Sequence, residues 1–502
     1  MDSGNRVTET LLALGAAAVS AALFYFGTGL NPIWPLPWLA PIPLLLIAPR
    51  ASARYVALSA FFAYLLGGLN VWHFYREILQ LPMRPIILFT TIPAILFALL
   101  VLAWRRLLQN GRIWAAVFSF PILWSAIEYA NAATSPHSTY GSIAYTQMDF
   151  LPLIQIASVT GIWGISFVLF LIPSAVGVFA SNHSSRQERI KLSATIALVF
   201  VAALGFGVWR LHIPLRTTGV VQVRMLSTST PADVFPSEQS KAVDLAFRYA
   251  GQILPTNSTV KEPDVVIIPE KIVRVDAAAS DAVRAAFSAA AAKDHVETLV
   301  GLDEISEGQR RNDALLFGAD GQLEANYEKH HFIPVLEDGY TLGADYQVLK
   351  RPSGLWGIAI CKDMDFPPLS REYGKRGIGL LLVPAWDFRY DDWLHQRMAI
   401  LRGVESGFTI ARNAKQGRLS ITDNRGRVLA EALESRTGFA VINAMAPVAH
   451  ENTFYARFGD WFAWLCGAGS VVVILLLLFK TRAAKAQEGS KLVKIPPRRT
   501  IS

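Results

Sequence analysis

Three residues of this 502-residue chain have types and positions that suit covalent nucleophilic catalysis. Glu270 ends the apolar run 264–270, Cys361 ends the apolar run 356–361, and Lys329 lies in a polar loop between predicted strands. A thiol becomes a useful nucleophile when a base or a neighbouring positive charge stabilises its thiolate. A carboxylate, an ammonium group and a thiol therefore form a coherent catalytic set, provided that the fold brings them together.

Each of the three residues also has an ordinary structural interpretation. A cysteine at the end of an apolar strand is more often a buried packing residue than a nucleophile. Glu270 is equally suited to capping a helix, and Lys329 is by default a surface residue. Taken singly they carry little weight, so the prediction depends on the elements that position them.

The segment 218–448 predicts a layered α/β domain. Its apolar runs are nearly continuous rather than alternating, as expected for strands covered on both faces. The predicted strands occupy 220–225, 264–268, 297–301, 314–317, 356–361, 379–383, 408–412 and 439–443, and the predicted helices occupy 237–253, 277–293 and 392–406. Ligands gather at the carboxyl ends of strands in such sheets, so the side chains that follow the strands are expected to converge.

The chain as a whole has the composition of a membrane protein. Hydrophobic residues make up 52% and charged residues only 17%, against about 25% charged in soluble proteins. The two cysteines, Cys361 and Cys466, exclude a disulfide scaffold and a four-cysteine metal centre, and Cys466 is interpreted as a packing residue. The adjacent His330 and His331 lack a second cluster with metal-ligand spacing, so neither a metal nor another cofactor is expected.

Apolar stretches that predict about eight membrane spans occur at 8–28, 34–48, 55–74, 85–104, 113–130, 152–180, 192–210 and 461–479. A helix needs about 20 apolar residues to cross the hydrocarbon core. The weakest prediction is 34–48, which is short and contains four prolines. The uncharged stretch 151–180 is too long for one perpendicular span, so it is expected to tilt or to contain a re-entrant turn.

Basic residues predict the orientation of these spans. Loops and termini assigned to one side hold sixteen Lys and Arg residues, whereas the alternate loops hold two, which places both termini in the cytoplasm. The predicted division is a seven-span bundle at 1–211, a domain at 218–448 on the outer face, a final span at 460–480 and a basic cytoplasmic tail at 481–502. The net charge of +8 lies beside the spans, and the outer domain is mildly acidic, so nucleic acid is not the expected partner.

The order Glu270, Lys329 and Cys361, each in its local sequence, resembles the nitrilase (carbon–nitrogen hydrolase) superfamily. With seven spans before the domain and one after it, the whole chain resembles the bacterial apolipoprotein N-acyltransferases. The stretches 393–405 and 453–462 are similar to that family's helix after the active-site strands and to its junction motif before the last span. The junction motif and the architecture are the most specific parts of the resemblance.

The resemblance implies an αββα sandwich on a multi-pass helical bundle in the bacterial inner membrane, with a periplasmic catalytic domain. It implies acyl transfer from a membrane phospholipid, through a thioester on Cys361, to the α-amino group of the diacylglyceryl-cysteine of apolipoproteins. Glu270 would act as the general base and Lys329 would stabilise the oxyanion. Glu337 would support the first attack, and Asp363 would position the triad.

Aromatic residues near the domain's predicted active-site strands and the last span are expected to contact lipid. Trp386, Trp393 and Tyr455 are the candidate substrate-binding residues, together with Trp461 and Trp464 in an interfacial belt. An interpretation as ordinary core and interface aromatics is equally open for each of them.

Several positions depart from the family pattern and put the acceptor or lipid preference in doubt. Lys362 follows the nucleophile where an aromatic residue is usual, Val383-Pro384 precedes Ala385-Trp386 in place of Asn-Asp, Arg412-Asn-Ala-Lys-Gln-Gly417 replaces an Asn-rich turn, and Gln222-Val-Arg-Met replaces Gln-Gly-Asn. Two other hypotheses therefore stay open: a membrane-anchored amidase or nitrilase that hydrolyses a carbon–nitrogen bond, and a non-catalytic scaffold or lipoprotein-binding module.

Overall fold

The computed structural model describes residues 3–479 except 182, 237, 255–261 and 307. These residues form a helical bundle and an α/β domain, which is inserted in the chain before the last helix and packs on one end of the bundle. The predicted tail at 481–502 lies outside the described residues.

The bundle contains helices that are long and apolar enough to cross a membrane. Within the described residues there are seven of them: α1 (Ser3–Gly27), α4 (Ala53–Gly67, continued by the 3₁₀ turn Gly68–Val71), α5 (Met83–Gln109), α6 (Ile113–Thr134), α9 (Ile162–Phe179), α10 (Arg186–His212) and α16 (Trp461–Leu478). Four shorter α-helices also belong to this part: α2 (Leu36–Leu39), α3 (Ile42–Ile47), α7 (Leu151–Ile154) and α8 (Ala157–Thr160), together with the π-helical segment Phe74–Ile78 and the 3₁₀ helix Ile143–Gln147. Seven of the predicted spans are therefore long helices.

The predicted span at 34–48 is not a long helix, which corrects the expectation. The chain there forms the short helices α2 and α3. Pro41 and Pro43 have no amide hydrogen to donate to the preceding turn, so the helical hydrogen bonds are interrupted between α2 and α3.

The chain nevertheless crosses the bundle between α1 and α4, because these two helices run parallel. Near the amino end of α1, Glu9 accepts a hydrogen bond from the amide of Ser52, the N-cap residue of α4. At their last residues Asn70 Nδ2 donates to the carbonyls of Tyr25 at 2.9 Å and Thr28 at 2.8 Å. Two consecutive parallel helices require the segment between them to return across the bundle, and the proline-rich segment is that return.

The arginines of the loops meet at one end of the bundle, where they donate to main-chain carbonyls at helix ends. The pairs are Arg105 Nε with Ala48 O at 2.7 Å, Arg105 Nη2 with Ala51 O at 3.0 Å, Arg50 Nη2 with Ala180 O at 3.2 Å, Arg106 Nε with Leu477 O at 3.2 Å, and Arg112 with Leu476 O and Phe479 O. The α/β domain lies at the opposite end, where the carboxyl end of α10 contacts it through Arg210 and Glu451.

The long apolar stretch 151–180 is broken at Gly161, between α8 and α9. Gly161 has φ +67°, and a Cβ at this position would lie 2.5 Å from the ring of Tyr455. Both the left-handed backbone and the close ring require glycine here. The break turns the chain into α9, which explains how so long an uncharged run fits the bundle.

The α/β domain contains two sheets of mixed direction. The first has the order β13-β1-β2-β4-β5-β6, with β3 paired to β4, and the second has the order β12-β11-β10-β9-β8-β7. The strands are β1 (Thr217–Thr228), β2 (Val265–Ile267), β3 (Arg274–Asp276), β4 (Glu297–Ser306), β5 (Gln309–Phe317), β6 (Leu323–Glu328), β7 (Val348–Arg351), β8 (Gly354–Ile358), β9 (Leu380–Trp386), β10 (Thr409–Lys415), β11 (Arg418–Thr422), β12 (Val428–Leu433) and β13 (Phe439–Ala449).

Helices cover the outer face of each sheet. On the first sheet lie α11 (Gln239–Ala250) and α12 (Ala277–Asp294), and on the second lie α13 (Pro367–Lys375) and α14 (Asp392–Ser406). One apolar core fills the space between the sheets, and α14 also packs against the bundle. The predicted αββα sandwich is therefore confirmed, and the short α15 (Phe454–Phe458) leads from it to α16.

All three predicted helices and all eight predicted strands are present, but five strands were not predicted. One of them, β6, covers part of the stretch 326–331 that was expected to be a polar loop. It lies at the edge of its sheet, and its positions are a mixture of exposed, half-buried and buried ones. Continuous apolar runs identify only strands that are covered on both faces, so this edge strand was missed.

Candidate active site

The three predicted catalytic side chains follow strands of both sheets and meet between them. Glu270 comes after β2 and Lys329 directly after β6 in the first sheet, whereas Cys361 comes after β8 in the second. All three are buried, with exposures of 1%, 0% and 7% respectively. Lys329 Nζ lies 2.8 Å from Glu270 Oε1, so the structure brings together residues that are far apart in sequence.

The ammonium group of Lys329 is held between two carboxylates. Its Nζ donates to Glu270 Oε1 at 2.8 Å and to Glu337 Oε2 at 2.9 Å. Asn312 Nδ2 ties the same carboxylates together, at 2.7 Å from Glu270 and 3.0 Å from Glu337. Burial alone would lower the pKa of Lys329, but the two carboxylates raise the pKa well above its ordinary value, so Lys329 remains a cation.

The two carboxylates differ in their surroundings. Glu337 also accepts hydrogen bonds from Lys271 Nζ and from the amide of Ile333. Burial would raise its pKa, but Lys329 and Lys271 together lower the pKa of Glu337 to about 2. Lys271 Nζ lies farther from Glu270, at 4.0 Å from Oε1. Carboxylates in such different environments take different roles, and Glu270 is the one less engaged by cations and so better suited to accept a proton.

Cys361 begins a 3₁₀ turn, Cys361–Asp365, with a left-handed backbone at φ +42°. A non-glycine residue in this region stores roughly 1–3 kcal/mol of strain and is typical of functional positions. Its Sγ lies 3.5 Å from the carbonyl oxygen of Trp386. Burial and the charge of Glu270 raise the pKa of the thiol well above its ordinary value, and Lys329 only partly opposes them. The resting site therefore holds a thiol, whose proton must leave during the attack.

Asp363 joins the loop that carries Lys329 to the turn that carries Cys361. One carboxylate oxygen accepts from the amides of His330 at 3.2 Å and His331 at 2.9 Å. The other accepts from Tyr327 Oη at 2.7 Å and from the amide of Ile360 at 3.0 Å. Asp363 is fully buried and does not contact Lys329 itself, so its contacts fit the predicted positioning role.

Trp386 lies beside the thiol and forms one wall of the site. Its Nε1 donates to Gln416 at 2.8 Å, and its ring lies 5.4 Å from that of Phe235. Lys415 Nζ lies 3.7 Å from the centroid of the Trp386 ring and donates to two backbone carbonyls, including that of Lys271. Burial, together with the charge of Lys271, lowers the pKa of Lys415 well below its ordinary value.

Two family models match this chain, one on each structural part. The model of the apolipoprotein N-acyltransferase N-terminal domain matches residues 20–175, and the carbon–nitrogen hydrolase model matches residues 263–445. Together the two matches span more than half of the chain, with the first on the helical bundle and the second on the α/β domain. The chain belongs to the apolipoprotein N-acyltransferase family. It is therefore a membrane protein of acyltransferase type, with a carbon–nitrogen hydrolase domain.

Individual relatives match over most of their length. The apolipoprotein N-acyltransferase of Geobacter metallireducens is 25% identical, over 92% of this chain and 94% of that protein. Those of Allorhizobium ampelinum and Shewanella oneidensis are 24% and 22% identical, over 68% and 77% of this chain and 71% and 77% of theirs. Among solved structures, an amidase from Nesterenkonia sp. matches with a TM-score of 0.40 and 19% identity, over 49% of this chain and 95% of that one.

Two of the predicted substrate-binding aromatics lie at the junction between domain and bundle. Trp393, on α14, is 9% exposed and packs in the apolar cluster that joins α14 to the bundle. Tyr455 is fully buried, with its Oη donating to Asp460 Oδ1 at 2.8 Å and its ring against Gly161. Both placements favour packing over contact with substrate, whereas Trp386 lies in the site.

The departures from the family pattern lie in different places. Val383 and Pro384 are buried inside β9, and Val383 packs in the core between the sheets. Lys362 Nζ pairs with Asp365 at 3.0 Å and lies 3.4 Å from Nδ1 of His137 in a bundle loop. In these positions the departures alter the core and the contact between domain and bundle.

The end of β10 with the residues after it, and the start of the domain, contain the other departures. Arg412, within β10, forms a two-pronged ion pair with Asp387, the residue after Trp386, and its charge acts on Cys361. Gln222 lies within β1, where its amide donates to Asp264 at 2.7 Å. The stretch 412–417 therefore borders the site, and Gln222 supports the start of β2.

Three residues of the site were not among the sequence predictions: Lys271, Asn312 and Lys415. Asn312 is a buried polar residue at the start of an apolar run, which was the one available sequence signal. Lys271 follows β2 next to Glu270, and Lys415 is the last residue of β10. Within the described residues, no group of three His, Cys, Asp or Glu side chains is placed to hold a metal ion.

Proposed function

We propose that this chain transfers an acyl group from a membrane phospholipid, through a thioester on Cys361, to the α-amino group of the diacylglyceryl-cysteine of apolipoproteins. The observation that carries the proposal is the pairing of Lys329 with Glu270 at 2.8 Å beside a buried, left-handed Cys361. This is a nucleophile with its base and a fixed positive charge. The names of the relatives describe the same type of reaction, the N-acylation of apolipoproteins.

In the first half-reaction, Glu270 takes the proton of Cys361 as the sulfur attacks the ester carbonyl of the phospholipid. Because the pKa of the thiol is raised, deprotonation and attack are coupled, which makes the base essential. Lys329, held beside the base by its hydrogen bond to Glu270, stabilises the negative oxygen of the tetrahedral intermediate in this proposal, a role worth about 3–4 kcal/mol in other enzymes. The lysophospholipid leaves with the proton from Glu270, and the acyl group remains on sulfur.

In the second half-reaction, the free α-amino group of the lipoprotein attacks the thioester. Glu270 accepts a proton from the amine, Lys329 again stabilises the oxyanion, and collapse of the intermediate forms the amide. The thiolate of Cys361 leaves and regains its proton from Glu270. The enzyme returns to its starting state, and the kinetics are those of a ping-pong reaction.

Glu337 supports this chemistry without exchanging protons. Its pKa of about 2 keeps it ionised, and it shares Lys329 with Glu270. Asp363 positions Cys361 and Lys329 with respect to one another through its four main-chain and side-chain partners. Trp386 is the aromatic residue best placed to contact the acyl chain next to the thiol.

The bundle supplies the lipid substrates and sets the orientation. Lifting acyl chains into water would cost about 0.8 kcal/mol per methylene, so a site at the membrane surface is favoured. We place the arginine-rich end of the bundle in the cytoplasm and the α/β domain in the periplasm, on the inner membrane. The bundle then corresponds to 1–211, the catalytic domain to 218–448, the last span to 460–480 and the cytoplasmic tail to 481–502.

The amidase alternative was favoured by Val383-Pro384, and the structure weakens that support. Val383 is buried in the core between the sheets, so a soluble-nitrilase-like residue there does not alter the site. The seven long apolar helices are also unexplained by a small soluble substrate.

Trapping of the acyl-enzyme tests the proposal. Detergent-solubilised protein is incubated with a phospholipid that carries a tagged acyl chain, beside Cys361→Ala and Cys466→Ala variants. We expect a hydroxylamine-labile tag on the wild type and on Cys466→Ala, and none on Cys361→Ala. Absence of the tag on folded wild-type protein would exclude phospholipid as the donor, and hydrolysis of simple amides by that protein would then support the amidase.

A further inference from the structure

Three cations lie together at the mouth of the site and form what we call the basic rim: Lys271, Arg274 and Arg310. The Arg310 guanidinium lies 4.0 Å from the centroid of the Tyr340 ring, and Lys271 Nζ lies 5.3 Å from the same centroid. The Arg274 guanidinium lies 4.6 Å from the centroid of the Phe235 ring. The side chain of Lys271 is 10% exposed, and those of Arg274 and Arg310 are 36% and 26% exposed.

The two arginines share one buried carboxylate and are not fully neutralised by it. Asp303 accepts from Arg274 Nε at 2.9 Å, from Arg310 Nε at 3.0 Å and Nη2 at 2.7 Å, and from Tyr340 Oη at 2.9 Å. Two guanidinium groups against one carboxylate leave one positive charge. In the part of the chain that the structure describes, no hydrogen bond engages the two Nη atoms of Arg274 or Nη1 of Arg310.

Lys271 links the basic rim to the residue beside the nucleophile. Lys271 Nζ lies 5.5 Å from the centroid of the Trp386 ring, and the main-chain carbonyl of Trp386 lies next to Cys361 Sγ. Guanidinium groups with free N–H donors are well suited to bind phosphate oxygens in pairs. In a phospholipid, only the glycerol unit separates the ester carbonyl from the phosphodiester. A lipid whose ester reaches Cys361 therefore places its phosphate near this rim.

An apolar loop beside the basic rim favours a lipid over a free phosphate. The loop carries Val335, Leu336 and Leu342, which are 79%, 54% and 59% exposed. It is fixed to the rim through Thr341, whose amide donates to the carbonyl of Arg310 at 2.8 Å. Large exposed apolar side chains next to uncompensated cations match the boundary between acyl chains and headgroups.

We propose that Lys271, Arg274 and Arg310 bind the phosphodiester of the donor phospholipid and thereby direct its ester to Cys361. This assignment rests on the proposed acyltransferase function and adds the part of the donor that is recognised. It makes the enzyme selective for donors that carry a phosphate, whatever the headgroup beyond it.

The test compares two acyl donors in single variants of the rim. Arg274→Gln and Arg310→Gln are assayed for acyl-enzyme formation from a tagged phospholipid and from the p-nitrophenyl ester of the same acyl chain, which has no phosphate. We expect each variant to lower the phospholipid-to-ester ratio of kcat/KM about tenfold, as for the loss of one charge-assisted hydrogen bond. Arg310→Lys, which keeps the positive charge but loses the paired N–H donors of the guanidinium group, should lower the ratio by less.

Arg284→Gln is the matched control. Arg284 pairs with Glu304, a buried carboxylate adjacent to Asp303 on β4, but it lies on α12, away from the mouth. Its variant should keep the wild-type ratio. Equal losses with both donors in the rim variants would show that the arginines only support Asp303, and the proposal would be overturned.

A titration of wild-type protein with inorganic phosphate distinguishes the source of the phosphate. Phosphate binding that is lost in the rim variants, while their phospholipid kinetics stay at the wild-type level, would assign the rim to a free anion and overturn the lipid assignment. A wild-type protein that is acylated by the ester but not by any phospholipid would contradict the proposed function itself. That outcome is distinct from an unchanged donor ratio in the rim variants, which contradicts only the inference drawn from the rim.

Discussion

The cations of the bundle and those of the α/β domain are satisfied in different ways. At the arginine-rich end of the bundle, Arg50, Arg105 and Arg112 donate to main-chain carbonyls at the ends of helices. In the domain, Lys329 and Arg412 are buried against carboxylates, at 2.8 Å from Glu270 and as a two-pronged pair with Asp387. The same kinds of side chain therefore serve two different purposes.

The difference lies in what the partner can do. A carbonyl does not titrate, so an arginine on a helix end adds stability and fixes orientation without affecting proton transfer. A carboxylate changes charge with pH and exchanges its proton, so a cation beside it sets its pKa. Substitutions in the domain are therefore expected to change rates and pH dependence, and substitutions at the bundle end to change stability alone.

The largest expected effect is that of Glu270→Gln. Removing the base should slow acyl-enzyme formation by about a thousandfold, since the buried thiol of Cys361 would have no group to accept its proton during the attack. The measurement is the rate at which the tagged thioester appears after mixing with phospholipid. Asp313→Asn is the control, because Asp313 is a buried carboxyl whose pKa is raised to about 8, so it is already neutral at pH 7. A similar loss in both variants would contradict a specific role for Glu270.

Asp363→Asn should have the next largest effect. The amide would turn two donors toward groups that now donate to the carboxylate, which costs about 1–3 kcal/mol of stability. Misplacement of Cys361 with respect to Lys329 should also lower kcat by about 10–100-fold with little change in KM. Thermal unfolding and steady-state kinetics give the two quantities. A destabilised variant with unchanged kcat would show that Asp363 serves the fold only.

His395→Gln tests the pH dependence of the domain. Burial would lower the pKa of His395, but Asp391 at 2.9 Å and Asp387 at 4.0 Å raise it to about 9. Its folded-state pKa is thus above the unfolded value, so its stabilisation is complete below about pH 6.5 and is lost as the pH rises through about 9. The wild type should exceed the variant by up to about 3 kcal/mol at pH 6, and the gap should close by pH 9.5.

Unfolding midpoints of both proteins in detergent across this range provide the check. Tyr140→Phe is a suitable companion variant, since the ring of Tyr140 lies 5.9 Å from that of His395 and carries no charge at these pH values. A difference between wild type and His395→Gln that stays constant from pH 6 to 9.5 would show that the imidazole is not held charged.

The smallest expected effect is that of Arg112→Gln in the bundle. Arg112 contacts the carbonyls of Leu476 and Phe479 at the end of α16, so its loss should lower stability by about 1 kcal/mol. The rate of acyl-enzyme formation should stay within about twofold of wild type, because α16 ends far from the thiol. A large loss of rate at full stability would contradict the division between the two regions.

The sequence predicted those site residues that come at the carboxyl ends of apolar strands. Glu270 and Cys361 follow apolar strands, and this rule locates both of them between the sheets. The rule also applies to Lys271 and Lys415, but their importance arises from Glu337 and Trp386, which come from other parts of the chain. Contacts between distant segments have no local sequence signal, so these residues became evident only in the structure.

The fold was predicted best where the chain has continuous apolar runs. Strands such as β2 and β9 were recognised by this signal, whereas β6, which mixes exposed and buried positions, was missed. In the bundle, hydropathy located the crossing at 34–48 but not its conformation. Mean hydropathy reports how apolar a segment is, but not whether each residue has an amide hydrogen to donate. It therefore does not report the break between α2 and α3 that the prolines cause.

That proline-rich crossing also bears on how the protein is made. Pro41 and Pro43 leave carbonyl groups of the preceding turn without their helical donors, and lipid offers no replacement. The segment packs mainly against α1 and α9, and α9 is synthesised only after α4, α5 and α6. Biogenesis therefore cannot proceed as a simple series of independent insertions: this crossing becomes secure only when its later neighbour arrives, so the early steps of assembly are obligatorily cooperative.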